Sequence, residues 1–418
     1  MKNLLATLFL LFSLLFIHSA LADTAVQLDI NGPIGPATQE YVTDGLLYAQ
    51  NSNARLVILR VDTPGGLSSS TRGIIKSILG ADIPVVAFVG PSGARAERGG
   101  TFIVYAANVA AMAPGTTLGV ATSAIKPSIS EIKALNNTRT YLNSLAQLRS
   151  HNVTWAEAVI EKGERLSATE ALRNKVIDVI ATNVTSLLDK IDGMNVTIGQ
   201  HSVTIDTKNM SIFKYVPGWR ANLLAVITNP TMVYVFLMIA FYGIFLEFAH
   251  PGLVIPAVIG VISLFLGLYG LQMLPVNYLG LSLIFLGFVL FIAEIFVSSF
   301  GILALSGLVC FVIGSILLMD TNVVGFGIPW EAIVGFSIIT ALFVFFLLQL
   351  LIRSRHRPTV SGLSTMIGQE GEVLLDGDKA WLQVNGELWK IANQEGLQAG
   401  DRAKISRISG LQLTVKKI

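Results

Sequence analysis

The sequence predicts three parts in series: an exported, layered α/β domain, an α-helical membrane domain, and a small all-β barrel. Three observations predict this order. Short β-rich runs alternate with helical patterns in the first half, the arrangement that lays strands side by side under helices. Long uncharged runs fill residues 229–352. After residue 366 the pattern turns to short strands separated by glycine turns. Composition agrees: 52% hydrophobic and 13% charged over 418 residues is too apolar for a purely soluble chain. A net charge of +2 leaves no electrostatic footprint for nucleic acid.

At the N-terminus, Lys2, an apolar run over 4–17 and Ala20-Leu21-Ala22 before Asp23 make a basic region, a hydrophobic region and a small-residue cleavage site. Residues 1–22 therefore read as a signal peptide. An uncleaved anchor is the alternative, which the shortness of the run disfavours. Export then carries residues 23–220 out of the cytoplasm. Cys310 is the single cysteine and sits in an apolar run, so neither a disulfide framework nor a cysteine metal site is expected. No His-Glu-x-x-His or other metal spacing occurs, and no metal or cofactor is expected.

Within 23–220, runs 25–30, 56–61, 84–89 and 109–112 read as strands, with helices over 37–49, 67–79 and 129–149 between and after them. The alternation predicts a mostly parallel sheet. Shorter helices are expected over 155–162 and 168–174, the second with Ser167 or Thr169 at its N-cap.

Five runs are long enough to span a bilayer: 231–248, 253–271, 276–296, 300–319 and 333–352. Arg353-Ser354-Arg355-His356-Arg357 follows the last and belongs on the cytoplasmic side. An exported N-terminal domain and five spans put the C-terminus inside as well. The expected location is thus the inner (cytoplasmic) membrane, multi-pass, with an extracytoplasmic N-terminal domain and a cytoplasmic C-terminal one. The membrane domain, 229–352, also repeats itself. Glu247 ends the first span and is followed by Gly252, Gly260 and Gly267; Glu294 ends the third and is followed by Gly301, Gly307 and Gly314. The glutamates read as interfacial residues rather than an ion path, and the glycines as close-packing positions.

The tail, 358–418, offers strands at 371–375, 381–384, 387–391, 401–405 and 411–416. Five such strands suggest a barrel of the OB type, with Trp381 and Trp389 in its core rather than on a nucleic-acid stacking platform.

The chemistry lies in 62–119. Asp62-Thr63-Pro64-Gly65-Gly66 turns from a strand into a helix, and Gly93-Ala94-Arg95-Ala96-Glu97-Arg98-Gly99-Gly100-Thr101 repeats the device after the next strand. Gly65, Gly66 and Gly99 let backbone approach a substrate and present N–H groups at helix starts, as an oxyanion hole and substrate groove require. Met112-Ala113-Pro114-Gly115-Thr116-Thr117-Leu118-Gly119 follows.

With Gly386-Glu387-Leu388-Trp389-Lys390 in the tail, these motifs resemble the long form of the NfeD family, membrane-bound proteases of the ClpP class encoded beside stomatin-like proteins. The resemblance implies a ClpP/crotonase-like exported domain. It also implies a stomatin-like membrane partner, or its C-terminal hydrophobic segment, and a homo-oligomer. It implies a Ser–Lys dyad as well. Lys133, eight residues before Tyr141 in Tyr141-Leu142-Asn143-Ser144-Leu145-Ala146, matches the base. The nucleophile position, two residues before Gly100-Thr101, holds Arg98. A guanidinium is not a nucleophile. Glu97 is expected to pair with Arg98 on a surface turn. Ser92, Ser123 and Ser128 are the candidate substitutes. The histidines lie beside no nucleophile motif, with His151 read as surface. The sequence thus offers a membrane-bound endopeptidase using an unrecognised serine, or a protease frame that binds peptides as a catalytically inactive scaffold. A transport-related protein is the third and weakest reading.

Overall fold

A computed structural model describes residues 24–120, 129–249, 252–297, 299, 301–320, 323–355, 363–377 and 379–418. The expected signal peptide lies outside them. The chain forms two compact units that divide between Ala341 and Leu342.

The first unit opens with the α/β domain. Its strands are β1 (Thr24–Asn31), β2 (Leu56–Asp62), β3 (Val85–Val89), β5 (Val109–Met112), β8 (Val179–Ile180) and β11 (Ser211–Lys214). They form one sheet in the order β11-β1-β2-β3-β5-β8, every pair parallel. Such a sheet is covered on both faces, which is why β2 and β3 are continuous apolar runs. Alternation sorts their side chains. Val57 and Leu59 enter one core with Val26 and Leu28, and Leu56 and Ile58 enter the other with Val86 and Phe88.

Helix α3 (Gly99–Ala106) follows the second glycine turn, outside the predicted helical runs, whereas α1 (Pro36–Asn51), α2 (Ser68–Leu79) and α4 (Ile129–Leu148) fall where helical patterns are predicted. So do α5 (Val153–Lys162) and α6 (Ala168–Arg173), the latter capped by Ser167. A second small sheet, β4 (Arg95–Glu97), β6 (Thr117–Gly119) and β7 (Arg165–Ser167), stands beside the main one. This is the layered α/β fold of the ClpP/crotonase type. After α7 (Val184–Ile191), the hairpin of β9 (Asn195–Ile198) and β10 (His201–Thr204) and the edge strand β11 go beyond the expected elements. Their faces are largely exposed, so hydrophobic alternation is weak there.

His151 is buried, contrary to its reading as a surface residue, with Nε2 3.5 Å from Asp178 Oδ2 and Tyr105 edge-on at 5.2 Å. Asp29, on β1, receives Arg60 at 2.9 Å and Lys214 at 2.7 Å, tying three adjacent strands together. Burial pushes its carboxyl up, but the Lys214 and Gln27 hydrogen bonds and the charges of Arg60 and Lys214 outweigh that and hold it below its usual value.

A short helix, α8 (Trp219–Ile227), leads into α9 (Pro230–Ala249), α10 (Ile255–Met273), α11 (Tyr278–Val297), α12 (Ile302–Leu317) and α13 (Trp330–Arg355), helices over all five predicted runs. Among the described residues, two stretches, Pro230–Phe248 and Ile255–Met273, are long and apolar enough to cross a bilayer. Glycines bring the helices to backbone contact. A methyl on Gly260 would stand 2.9 Å from Ile244 N, and one on Gly307 2.8 Å from Gly287 O. Each glutamate closes its own hairpin. Glu247 accepts the N–H groups of Gly252 and Val254 at 2.8 Å, and Glu294 those of Gly301 at 2.9 Å and Ala304 at 3.3 Å. Both sites stand at the same 47-residue spacing as Gly260 to Gly307 and Gly267 to Gly314 (294 less 247, 307 less 260, 314 less 267).

In the second unit, β12 (Glu370–Asp376), β13 (Lys379–Val384), β14 (Glu387–Ile391), β15 (Arg402–Ser409) and β16 (Gln412–Lys417) close a barrel in the order β12-β13-β14-β16-β15. The β14–β16 pair is parallel and the others antiparallel, an OB-like closure. Val373, Leu382, Ile405 and Leu413 fill its centre, with Trp389 packed at the edge.

Candidate active site

The site is built where β2 and β4 run into helices. Thr63, fully buried, organises the first turn. Its Oγ1 accepts from the Gly65 N–H and donates to the Gly65 carbonyl, both at 3.1 Å. The Gly65 carbonyl also takes the Ile34 N–H at 2.8 Å, while the Ile34 carbonyl takes the Leu67 N–H at 2.8 Å. The segment ahead of α1 is thereby zipped to the glycine turn. Glycine is required at both positions of that turn. Gly65 adopts φ +106°, and a methyl there would stand 2.9 Å from Arg98 Cβ; one on Gly66 would stand 2.2 Å from Ile34 O.

The second turn is sharper. β4 stops at Glu97 and α3 starts at Gly99, so one residue carries the whole change of direction. That residue is Arg98, at φ +47° and ψ −109°. A side-chain-bearing residue rarely adopts such angles, which cost on the order of 1–3 kcal/mol and persist only where the surroundings impose them. A strained strand-to-helix corner of this kind is the elbow on which hydrolases raise a nucleophile. Its surroundings do impose it. The Arg98 N–H donates to the Gly119 carbonyl at 2.9 Å, and buried Thr101 Oγ1 donates to the Ala96 and Gly119 carbonyls at 3.0 and 2.8 Å. Gly100 allows the close fit, since a methyl there would lie 2.6 Å from Thr63 Cγ2.

Glu97 pairs with Arg165 at 3.0 Å and lies 4.0 Å from Arg95, rather than with Arg98 as expected. It is also buried, not on a surface turn. The reason is strand alternation: Glu97 and Arg98 project to opposite sides where β4 ends, and β7 supplies Arg165 on the inner side.

The glycine positions differ in what they can do. The Gly65 N–H is already engaged by Thr63, whereas among the described residues no hydrogen bond is made by the N–H groups of Gly66 and Gly99. Gly99 opens α3, where helix N–H groups lack intrahelical partners. Lys133 falls on α4, two turns before Tyr141. Tyr141 stacks on Phe102 of α3 at 6.1 Å, and Arg149 Nε donates to the Ala106 carbonyl at 2.9 Å. The two helices therefore run in the same sense, and α4 carries the Lys133 backbone toward the end of α3 at which Arg98 stands. Arg72 also lies over the Tyr141 ring, 4.5 Å from its centre. Ser92 is exposed, whereas Ser123 and Ser128 lie outside the described residues. Among the described residues, no cluster of three or more metal-ligating side chains occurs.

Thr63 and Thr101 are the residues that sequence reasoning undervalued. Both were legible only as members of glycine motifs, because a threonine that bonds backbone leaves no pattern of its own.

Comparison with known proteins bears on this geometry. Three family profiles match in order: the N-terminal domain of NfeD1b over residues 26–193, the NfeD integral membrane domain over 231–350, and the NfeD-like C-terminal, partner-binding domain over 363–417. The membrane-bound protease PH1510 of Pyrococcus horikoshii is 30% identical over 403 residues, 92% of this chain and 91% of that protein. The chain belongs to the NfeD family. It is the long form, with all three parts. The membrane protein NfeD1b of Bacillus subtilis is 28% identical over 302 residues, 68% of this chain and 65% of that protein. Solved relatives include the 1510-N membrane-bound stomatin-specific protease, as a lysine-to-alanine mutant in complex with a substrate peptide. That structure is 30% identical, with a TM-score of 0.45, and covers 49% of this chain and 97% of its own. The 1510-N membrane protease specific for a stomatin homolog, from Pyrococcus horikoshii, is 31% identical, with a TM-score of 0.44, and covers 49% of this chain and 98% of its own. The NfeD membrane match makes this chain a membrane protein.

Proposed function

We propose that this NfeD protein is a membrane-anchored peptide-binding protein on a serine-protease frame, one that engages a stomatin-like membrane protein without covalent catalysis. The observation that carries the reading is Arg98 at the elbow. The strained backbone of a nucleophile is kept, and the atom that would attack is gone. Losing the nucleophile removes the acyl-enzyme route and leaves at most the small acceleration due to oxyanion donors. Peptide capture does not need the serine, because an extended segment held by backbone hydrogen bonds relies on the groove alone. The Gly66 and Gly99 N–H groups are the proposed contacts for a peptide carbonyl, with Gly65 shaping the turn, and Lys133 is a relic of the base. The C-terminal barrel is proposed as a second hold on the same partner. The α/β domain is placed outside the cytoplasm and the barrel within it, with residues 1–22 removed and the domains divided at 23–220, 229–352 and 358–418.

The test uses purified full-length protein and a peptide from the C-terminal hydrophobic segment of a stomatin-like protein. Binding is followed by fluorescence anisotropy and cleavage by mass spectrometry, for wild type, Arg98→Ser and Lys133→Ala. Wild type binding without cleavage supports the proposal, and cleavage gained only by Arg98→Ser would show the frame intact. Cleavage by wild type that Lys133→Ala abolishes would establish an active peptidase and end the reading. Reporter fusions after residues 215 and 418 test topology, and an extracytoplasmic signal from the second would refute it.

A further inference from the structure

Helix α8 is nine residues long and lies between the α/β domain and the first span, joined to α9 by Thr228 and Asn229. It is held by protein at two points. Ala221 enters the α/β core, and Ile227 is buried at the edge of the membrane domain, where a methyl built on Gly270, in the last turn of α10, would stand 2.6 Å from the Ile227 carbonyl oxygen. The end of α8 is thus level with the end of a bilayer-length helix. On the face opposite Ala221, Trp219, Leu223 and Val226 stand 72%, 51% and 48% exposed. Their spacing of four and then three residues puts them in one stripe. Arg220 lies over the Trp219 ring, 5.6 Å from its centre.

Two more exposed aromatics mark the same end of the membrane domain. Successive helices run antiparallel, so α9, α11 and α13 start where α10 and α12 end; the Asn277 N–H, just ahead of α11, reaches the Leu318 carbonyl just past α12 at 2.9 Å. Tyr278 opens α11 and Trp330 opens α13, 79% and 69% exposed. Trp and Tyr at span ends form the belt that sits at the headgroup level of a bilayer.

We infer that α8 is an interfacial helix whose Trp219–Leu223–Val226 stripe dips into the headgroup region, seating the α/β domain directly on the membrane. α8 ends beside Gly270 of α10, whose neighbours Leu268 and Tyr269 are themselves exposed, and this commits the occupant of the stripe to lipid. An apolar face backed by a helix that is itself packed on protein fits shallow insertion at the acyl boundary. The seat fixes the height of the glycine turn as well. Leu67, next to Gly66, lies in one buried cluster with Val233 and Tyr234 of α9 and with Phe326. The inference holds whether the site cleaves, binds, or does neither.

Full-length protein is reconstituted into phosphatidylcholine vesicles, with and without bromine near the carboxyl end of the acyl chains. The emission lost on Trp219→Phe isolates the signal of that residue. Bromine is expected to lower this signal at least twofold, and aqueous iodide to leave it nearly unchanged. Quenching by iodide and not by bromine would overturn the inference. So would a signal insensitive to both that becomes iodide-accessible as the protein is diluted in lipid, because a second copy would then cover the stripe. If Trp219→Phe does not fold, Val226→Cys in a Cys310→Ala background, labelled with bimane, replaces it: bromine quenching of the bimane supports the inference, and iodide quenching alone overturns it.

Discussion

Arg98→Gly and Arg98→Ala form a pair whose difference isolates the backbone. Both remove the guanidinium and its contacts, so those terms cancel in the comparison. At an ordinary position glycine is the worse residue by roughly 0.5–1 kcal/mol, since the unfolded chain gains freedom. At φ +47° and ψ −109° the order should invert. An alanine there keeps a strain of about 1–3 kcal/mol that glycine does not feel. Subtracting the entropic cost leaves glycine ahead by about 1 kcal/mol, which in a domain of this size corresponds to roughly 2–4 °C in Tm. Differential scanning fluorimetry of the detergent-solubilised chain, with limited proteolysis to assign the α/β transition, measures it. If Arg98→Ala melts as high as Arg98→Gly or higher, the corner is relaxed. A nucleophile elbow would then not persist in this chain.

Gly66→Ala would drive a methyl against backbone that two hydrogen bonds already fix; the α/β transition should fall by about 2–4 kcal/mol, with proteolysis opening first near residue 34. Asp29 has a folded-state pKa below its ordinary value of 3.8, so its contribution is complete above that value and is lost as pH falls through the lower, folded one. Asp29→Asn should therefore destabilise at pH 7 and flatten the acid limb below about pH 4 in a series of urea melts. Gly260→Leu and Gly307→Leu, equivalent positions in the two hairpins, should each separate their own helix pair, lowering the yield of monodisperse protein on size exclusion, while Gly327→Leu, where nothing lies within 4 Å, should not.

The parallel sheet, the five helices and the five barrel strands were legible because each rests on a period that burial imposes: continuous apolar strands, apolar helices, glycine-punctuated alternation. β11 was not. Its four residues are exposed, and it is held by pairing with β1 and by Lys214 reaching Asp29, neither of which leaves a local pattern. The glycine turns were legible as turns, but the zipper through Ile34 joins residues some thirty positions apart and could not be read. Arg98 is legible through the resemblance of its motif, whereas its strained conformation is imposed by Gly119 and Thr101, which leave no local pattern. His151 was misplaced because a polar residue after a helix usually faces water; here Tyr105 and Trp155 close over that region, and burial pushes the Tyr105 hydroxyl pKa upward.

The two glutamate-closed hairpins carry a consequence for biosynthesis. In a chain that enters the membrane helix by helix, each loop's N–H groups rest on interfacial water until a side chain replaces it. Here Glu247 closes the loop between α9 and α10, and Glu294 the loop between α11 and α12, each using only its own hairpin. Each hairpin is thus complete as soon as its second helix is made, and assembly reduces to docking two finished halves. Among the described residues α13 makes no such closure, and it docks on α9 through Phe336 against Tyr234 and Thr340 bonded to Tyr242.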